Sequence, residues 1–113
     1  MFVVPPTFTK VPVSQTIPTS QTVRFDCEVD SNPASSIYWV KDGEQLYING
    51  RIKLKPGNTL VVSHTVTSDS GIYQCVASNP AGVNTTAARL QVNVSSKFYE
   101  ISFTFRVKTT KCR

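Results

Sequence analysis

An all-β sandwich of two antiparallel sheets is the fold class that three features of this sequence predict. Short runs rich in Val, Ile, Thr, Tyr and Phe alternate with clusters of Gly, Pro, Asn and Asp, as strands alternate with turns. No window carries its apolar residues at the helical period. Cys27, Trp39 twelve positions later, and Cys75 with Tyr73 two before it fall at inward positions of separate runs.

Residues 1–4 read as a leader, 5–94 as the folded domain and 95–113 as a basic, aromatic tail. After Pro5-Pro6 a first strand is expected over residues 7–11, broken by Pro12, which has no N–H for a ladder, and resumed over 14–17. Over residues 23–29 Val23, Phe25, Cys27 and Val29 alternate with Arg24, Asp26 and Glu28, the pattern of a strand with one buried face. The next strand covers 37–41 with Ile37 and Trp39 inward. Asp42-Gly43 suits a hairpin turn into a short strand over 45–48, and Asn49-Gly50 a second turn into a strand over 51–55. Pro56-Gly57-Asn58 ends that strand; the one over 60–63 buries Leu60 and Val62, and Val66 is expected to plug the sandwich end. A strand over 71–77, the turn Asn79-Pro80-Ala81-Gly82 and a strand over 84–94 burying Leu90, Val92 and Val94 complete the domain.

Pro6, Phe8, Pro12, Cys27, Val29, Pro33, Ile37, Trp39, Lys41-Asp42-Gly43, Leu60, Asp69-x-Gly71-x-Tyr73-x-Cys75 and Ala77-x-Asn79-x-x-Gly82 make residues 5–94 resemble the intermediate (I) set of immunoglobulin domains. The resemblance implies a Cys27–Cys75 disulfide joining the sheets, a core around Trp39, Leu60 and Tyr73, and a Tyr73 hydroxyl turned back to the chain upstream. Closing a loop of about fifty residues contributes roughly 4 kcal/mol in the chain-entropy model. The resemblance further implies an ion pair between Arg51 and Asp69 across the bottom of the sandwich. Ser31 and Ser35 stand where the set has glycine and a second proline, and Thr19-Ser20 replaces a Glu-Gly turn, so those two loops are expected to differ in shape. Tyr73-Gln74-Cys75-Val76-Ala77 and Thr86-Ala87-Ala88-Arg89-Leu90 resemble domains of neural adhesion and guidance receptors of the neogenin and protogenin group.

A chain of 113 residues, 40% apolar and 10% aromatic, has room for one packed domain. Its formal charge of +5 is concentrated at the end: residues 1–94 hold seven basic and six acidic groups, and the last nineteen hold Lys97, Arg106, Lys108, Lys111 and Arg113 against Glu100. The folded body is therefore near neutral, and net charge gives no support for nucleic-acid binding. No apolar run is long enough to cross a bilayer, and the first residues lack the charged start of a signal peptide. The expectation is a segment of a larger protein whose export signal and membrane anchor lie elsewhere. Asn84-Thr85-Thr86 and Asn93-Val94-Ser95 are N-glycosylation acceptors, which have meaning in the secretory route, where a disulfide also persists.

Catalysis is not expected. His64, the single histidine, has no cysteine or carboxylate at ligand spacing and reads as a solvated strand-end residue. No cofactor is implied, and no metal: Asp69 beside Ser68 and Ser70 lacks the converging oxygens calcium needs. Arg51, Lys53 and Lys55 alternate along their strand and read as a solvated face ahead of a glycosaminoglycan contact. Alternation from Trp39 and Cys75 turns Tyr38, Val40, Ile72, Gln74 and Val76 outward, and Tyr38, Val40 and Val76 are expected to form an exposed apolar patch, which reads as a partner surface or, equally, as an interdomain contact or a covered face. In the tail, Ile101, Phe103, Phe105 and Val107 alternate with Ser102, Thr104, Arg106 and Lys108, and Cys112 is a third cysteine left as a free thiol. Two readings stand for it: a divergent ending that is disordered or pairs weakly, which is favoured, and an added edge strand or a dimer linked through Cys112.

The functional expectation is a non-enzymatic protein–protein recognition and adhesion module of a cell-surface receptor ectodomain, homophilic or heterophilic. The alternatives are an intracellular structural module of a muscle or cytoskeletal protein, and a module of a secreted matrix protein.

Overall fold

A computed structural model of the chain describes residues 3–94. The tail, with the alternation expected over residues 98–108 and Cys112, lies outside the described residues.

Strand β1, Val4–Lys10, pairs antiparallel with β4, Glu28–Asn32. At buried Pro12 the chain leaves that layer, and β2, Gln15–Pro18, joins the opposite sheet. There it runs parallel to β10, Gly82–Asn93, in the register Leu90↔Gln15 to Asn93↔Pro18. β3, Val23–Phe25, pairs with β8, Thr59–Val62, which pairs in turn with β7, Ile52–Lys55. The sheet opposite has the order β2-β10-β9-β5-β6, where β5 is Ser36–Lys41, β6 Glu44–Gln45 and β9 Gly71–Asn79.

The continuous strand expected over residues 23–29 is interrupted at Asp26 and Cys27. The reason is a change of partner. Phe25 still faces Leu60 of β8, but the chain of β8 begins at Thr59 after the Gly57-Asn58 turn, while Glu28 already faces Lys10 of β1. Between the two ladders Asp26 is held by its side chain, its carboxylate accepting from the Thr59 hydroxyl at 2.9 Å. The short strand expected over 45–48 shrinks to β6, since after Gln45 only Leu46 returns a main-chain bond to β5, from its N–H to the Trp39 carbonyl at 3.0 Å.

Inward residues of both sheets meet in one core: Val23, Phe25, Cys27, Trp39, Ile52, Leu60, Val62, Tyr73, Cys75, Ala88, Leu90 and Val92. Phe25 lies between the other two aromatic rings, 6.3 Å from Trp39 and 5.2 Å from Tyr73, centre to centre, within the range of favourable ring pairs. Cys27 and Cys75 are disulfide-bonded across the core, and the Trp39 indole N–H donates to the Asn58 carbonyl at 3.2 Å. Two expected core positions are corrected. Val66 is 44% exposed because the main chain turns into the 3-10 turn Thr67–Asp69, and the end of the sandwich is filled instead by Thr65, whose hydroxyl accepts from Gln21 N–H and donates to the Pro18 carbonyl. Val94 is 46% exposed, one residue beyond the end of β10 and its ladder with β2.

Candidate interaction surface

At the bottom of the sandwich a polar knot sets where β9 begins. Asp69 is nearly buried and gathers three kinds of donor. Arg51 grips both carboxylate oxygens, at 2.9 and 3.1 Å, and Val66 N–H donates to one of them at 2.8 Å. The buried Tyr73 hydroxyl donates to the Asp69 carbonyl at 2.6 Å. Burial pushes the Asp69 carboxyl up, yet the Arg51 hydrogen bonds, the Val66 N–H and the nearby positive charges pull harder and leave it below the usual carboxylate value. Hydrogen bonding to Asp69 raises Arg51 in turn, and burial, with Asp69 and Asp42 nearby, pushes the Tyr73 phenol well above its ordinary value. The same guanidinium donates to the carbonyls of Ser63 and His64, so one side chain closes β7 onto the strand before the turn.

The first residues of β9 are also held by Asp42, which the sequence offers as a turn residue and as part of the Lys41-Asp42-Gly43 motif. Its main-chain N–H donates to the Ile72 carbonyl and its carboxylate accepts from Ile72 N–H, both at 2.9 Å. That bond, followed by the one from Lys41 Nζ, lowers the Asp42 carboxyl. Gly71 has to be glycine here. With φ at +154°, a Cβ on it would stand 2.5 Å from the Asp42 carboxylate.

These anchors present the outer face of β5, β9 and β10. Register places Tyr38 opposite Val76 and Val76 opposite Thr85; the next row is Val40, Gln74 and Ala87, and the row after that Ile72 and Arg89. Tyr38 and Ile72 are 43% and 42% exposed, and Val40 and Gln74 are half-buried. Val76 is corrected. It points to the outer face as alternation requires, but it is only 8% exposed, because it sits on a central strand with Tyr38 and Thr85 directly on either side. Val83, 68% exposed and opposite Ser78, belongs to the face and was missed; counting back in twos from Arg89 through β10 would have found it. Beside Ile72 the face dips into an open hollow lined by Ser70, Gly71, Arg89 and Gln91.

The remaining candidates are dispersed. Both acceptor asparagines are exposed: Asn84 lies near β1, its amide nitrogen donating to the Pro6 carbonyl at 3.3 Å, and Asn93 lies at the end of β10 with its oxygen accepting from Gln91. Lys53 and Lys55 are exposed on β7, while Arg51 is committed to Asp69. His64 is exposed. Among the described residues no three His, Cys, Asp or Glu side chains gather as metal ligands would, and no helix is long and apolar enough to cross a membrane.

Comparison with known proteins agrees with this architecture. Human protogenin is 38% identical over 91 residues, covering 80% of this chain and 8% of that protein. Human Roundabout homolog 2 is 33% identical over 93 residues, covering 82% and 7%. The chain thus spans less than a tenth of the length of these curated relatives. Among solved structures, the titin M3 domain superposes with a TM-score of 0.74 at 28% identity, over 80% of this chain and 98% of that one. Drosophila OTK extracellular domains 3-5 reach 0.77 at 29% identity, over 81% and 33%. Residues 6–92 match the family model described as the immunoglobulin I-set domain, and the chain belongs to that family.

Proposed function

We propose that this chain is a non-catalytic protein-recognition module of a cell-surface receptor ectodomain, presenting the outer face of β5, β9 and β10 to another protein. The observation that carries the reading is the exposure of Tyr38 and Ile72, two rows apart on the outer face of a sheet whose inner face is sealed by the disulfide core. Apolar side chains gathered on one face, with polar neighbours such as Gln74, Thr85 and Arg89, are what a protein partner covers. The likeness to protogenin, the disulfide and the exposed acceptor Asn93 support an extracellular setting.

A second reading has its own support: the superposition on titin domains favours an intracellular structural module acting as a mechanical spacer. The two separate on peptide mapping of the protein from its own tissue, alkylated without reduction and read with and without glycosidase. Cys27 linked to Cys75, with a glycan on Asn84 or Asn93, is the expected result. Alkylated cysteines and bare asparagines would overturn the receptor reading in favour of the spacer.

A further inference from the structure

We propose that Asn49-Gly50 is a site of spontaneous covalent modification, at which the folded chain converts an asparagine into aspartyl and isoaspartyl residues. The chain has six asparagines, and the residue on the C-terminal side of each sets them apart. Asn32 and Asn79 precede proline, whose nitrogen carries no hydrogen to lose and cannot act as the nucleophile. Asn58, Asn84 and Asn93 precede Thr, Thr and Val, whose branched Cβ crowds the amide nitrogen. Asn49 precedes glycine, which has no Cβ to crowd its nitrogen, and the space where a Cβ would stand is open, with nothing within 4 Å.

The surroundings add access and polarisation. The segment is open to water, with Tyr47 78% and Ile48 57% exposed. The Asn49 side-chain oxygen accepts from two main-chain donors, Arg51 N–H at 2.8 Å and Ile52 N–H at 3.0 Å. That oxygen becomes negative when the side-chain carbon is attacked, and two fixed donors aimed at it act as an oxyanion hole does.

In the reaction the Gly50 nitrogen, having lost its proton, bonds to Asn49 Cγ, and the carbonyl electron pair moves onto the oxygen. Collapse of this intermediate breaks the bond from Cγ to Nδ2, which leaves as ammonia with a proton from water, and a five-membered imide remains. Water adding at Cγ reopens the new bond and gives aspartate; water adding at the main-chain carbonyl gives isoaspartate. No oxidant or cofactor is required. The aspartate can accept the same two N–H groups with a full charge, two residues from Arg51. The isoaspartate lengthens the main chain by a methylene and breaks the bond from Asn49 N–H to the Ile52 carbonyl, 2.9 Å here, which starts β7.

The test is to hold the folded chain at neutral pH and body temperature and to follow all six asparagines by peptide mapping, with isoaspartyl methyltransferase labelling to tell the two products apart. Conversion at Asn49 is expected to exceed that at every other asparagine at least about tenfold, the scale of losing less than one oxyanion donor. Gly50→Ala is expected to cut it by a similar factor while leaving the melting temperature unchanged. A reduced, alkylated and unfolded chain run in parallel reports the contribution of the fold. Conversion at Asn49 that is much slower in the folded chain than in the unfolded one, or that is unaffected by Gly50→Ala, overturns the proposal.

Discussion

Asp69 shows how much one side chain can organise. Its carboxylate joins Arg51 of the β7 corner to the Val66 N–H, while its carbonyl receives the Tyr73 hydroxyl from the core. Asp69→Ala strands the guanidinium and the N–H together, and a loss of about 3 kcal/mol is expected by chemical denaturation, at the low end for a broken buried pair because Arg51 keeps contact with water. Tyr73→Phe leaves the packing and removes one buried bond, for about 1–2 kcal/mol. The pH dependence follows from Asp69 lying below its ordinary 3.8 in the folded state. A lowered folded value means the ionised form is favoured by folding. Its stabilisation is therefore complete above about pH 4 and is lost as pH falls through the folded value. Melting temperature measured from pH 7 down to about pH 2 should fall steeply in the native chain and less steeply in Asp69→Asn, which has no charge left to lose.

At the scale of elements, β9 lies between β5 and β10 in the larger sheet, and its first residues are held by side chains, from the Asp69 knot on one side and from Asp42 on the other. Gly71→Ala forces a left-handed conformation on alanine and drives its Cβ into the Asp42 carboxylate, so a cost of about 1–3 kcal/mol is expected from strain. Removing that carboxylate with Asp42→Gly relieves the clash, and the double variant should lose less than the sum of the single ones in a thermodynamic cycle. The outer face separates in the same way. Tyr38→Ser with Ile72→Ser is expected to leave melting nearly unchanged and to abolish capture of a partner by the displayed domain. Val76→Ser, at a covered position, is expected to cost about 1–3 kcal/mol. Full binding by the well-folded Tyr38, Ile72 double variant would falsify the assignment of this face.

For the whole molecule, the disulfide spans 48 residues and ties β9 to the opposite layer. Its reduction is expected to lower unfolding free energy by about 4 kcal/mol, read as a shift of the denaturation midpoint. Most strands could be placed from the sequence, because alternation has a period of two and the breaks between strands are marked, by Pro12, which has no N–H for a ladder, and by Gly43 and Gly57, which take the positive φ of tight turns. The cysteine, tryptophan and tyrosine of the core could be placed for the same reason: an inward face needs them at fixed parity. What alternation cannot convey is which neighbour lies beside a strand. The break at Asp26–Cys27 arises where the partner changes from β8 to β1, and the burial of Val76 comes from the cross-strand side chains of Tyr38 and Thr85. The clasp of Asp42 on Ile72 joins residues thirty positions apart. Inward and outward are properties of the single strand, and the sequence by itself determined them; exposure, and with it the surface left for a partner, depends on what the other strands bring alongside, and only the tertiary structure decided that.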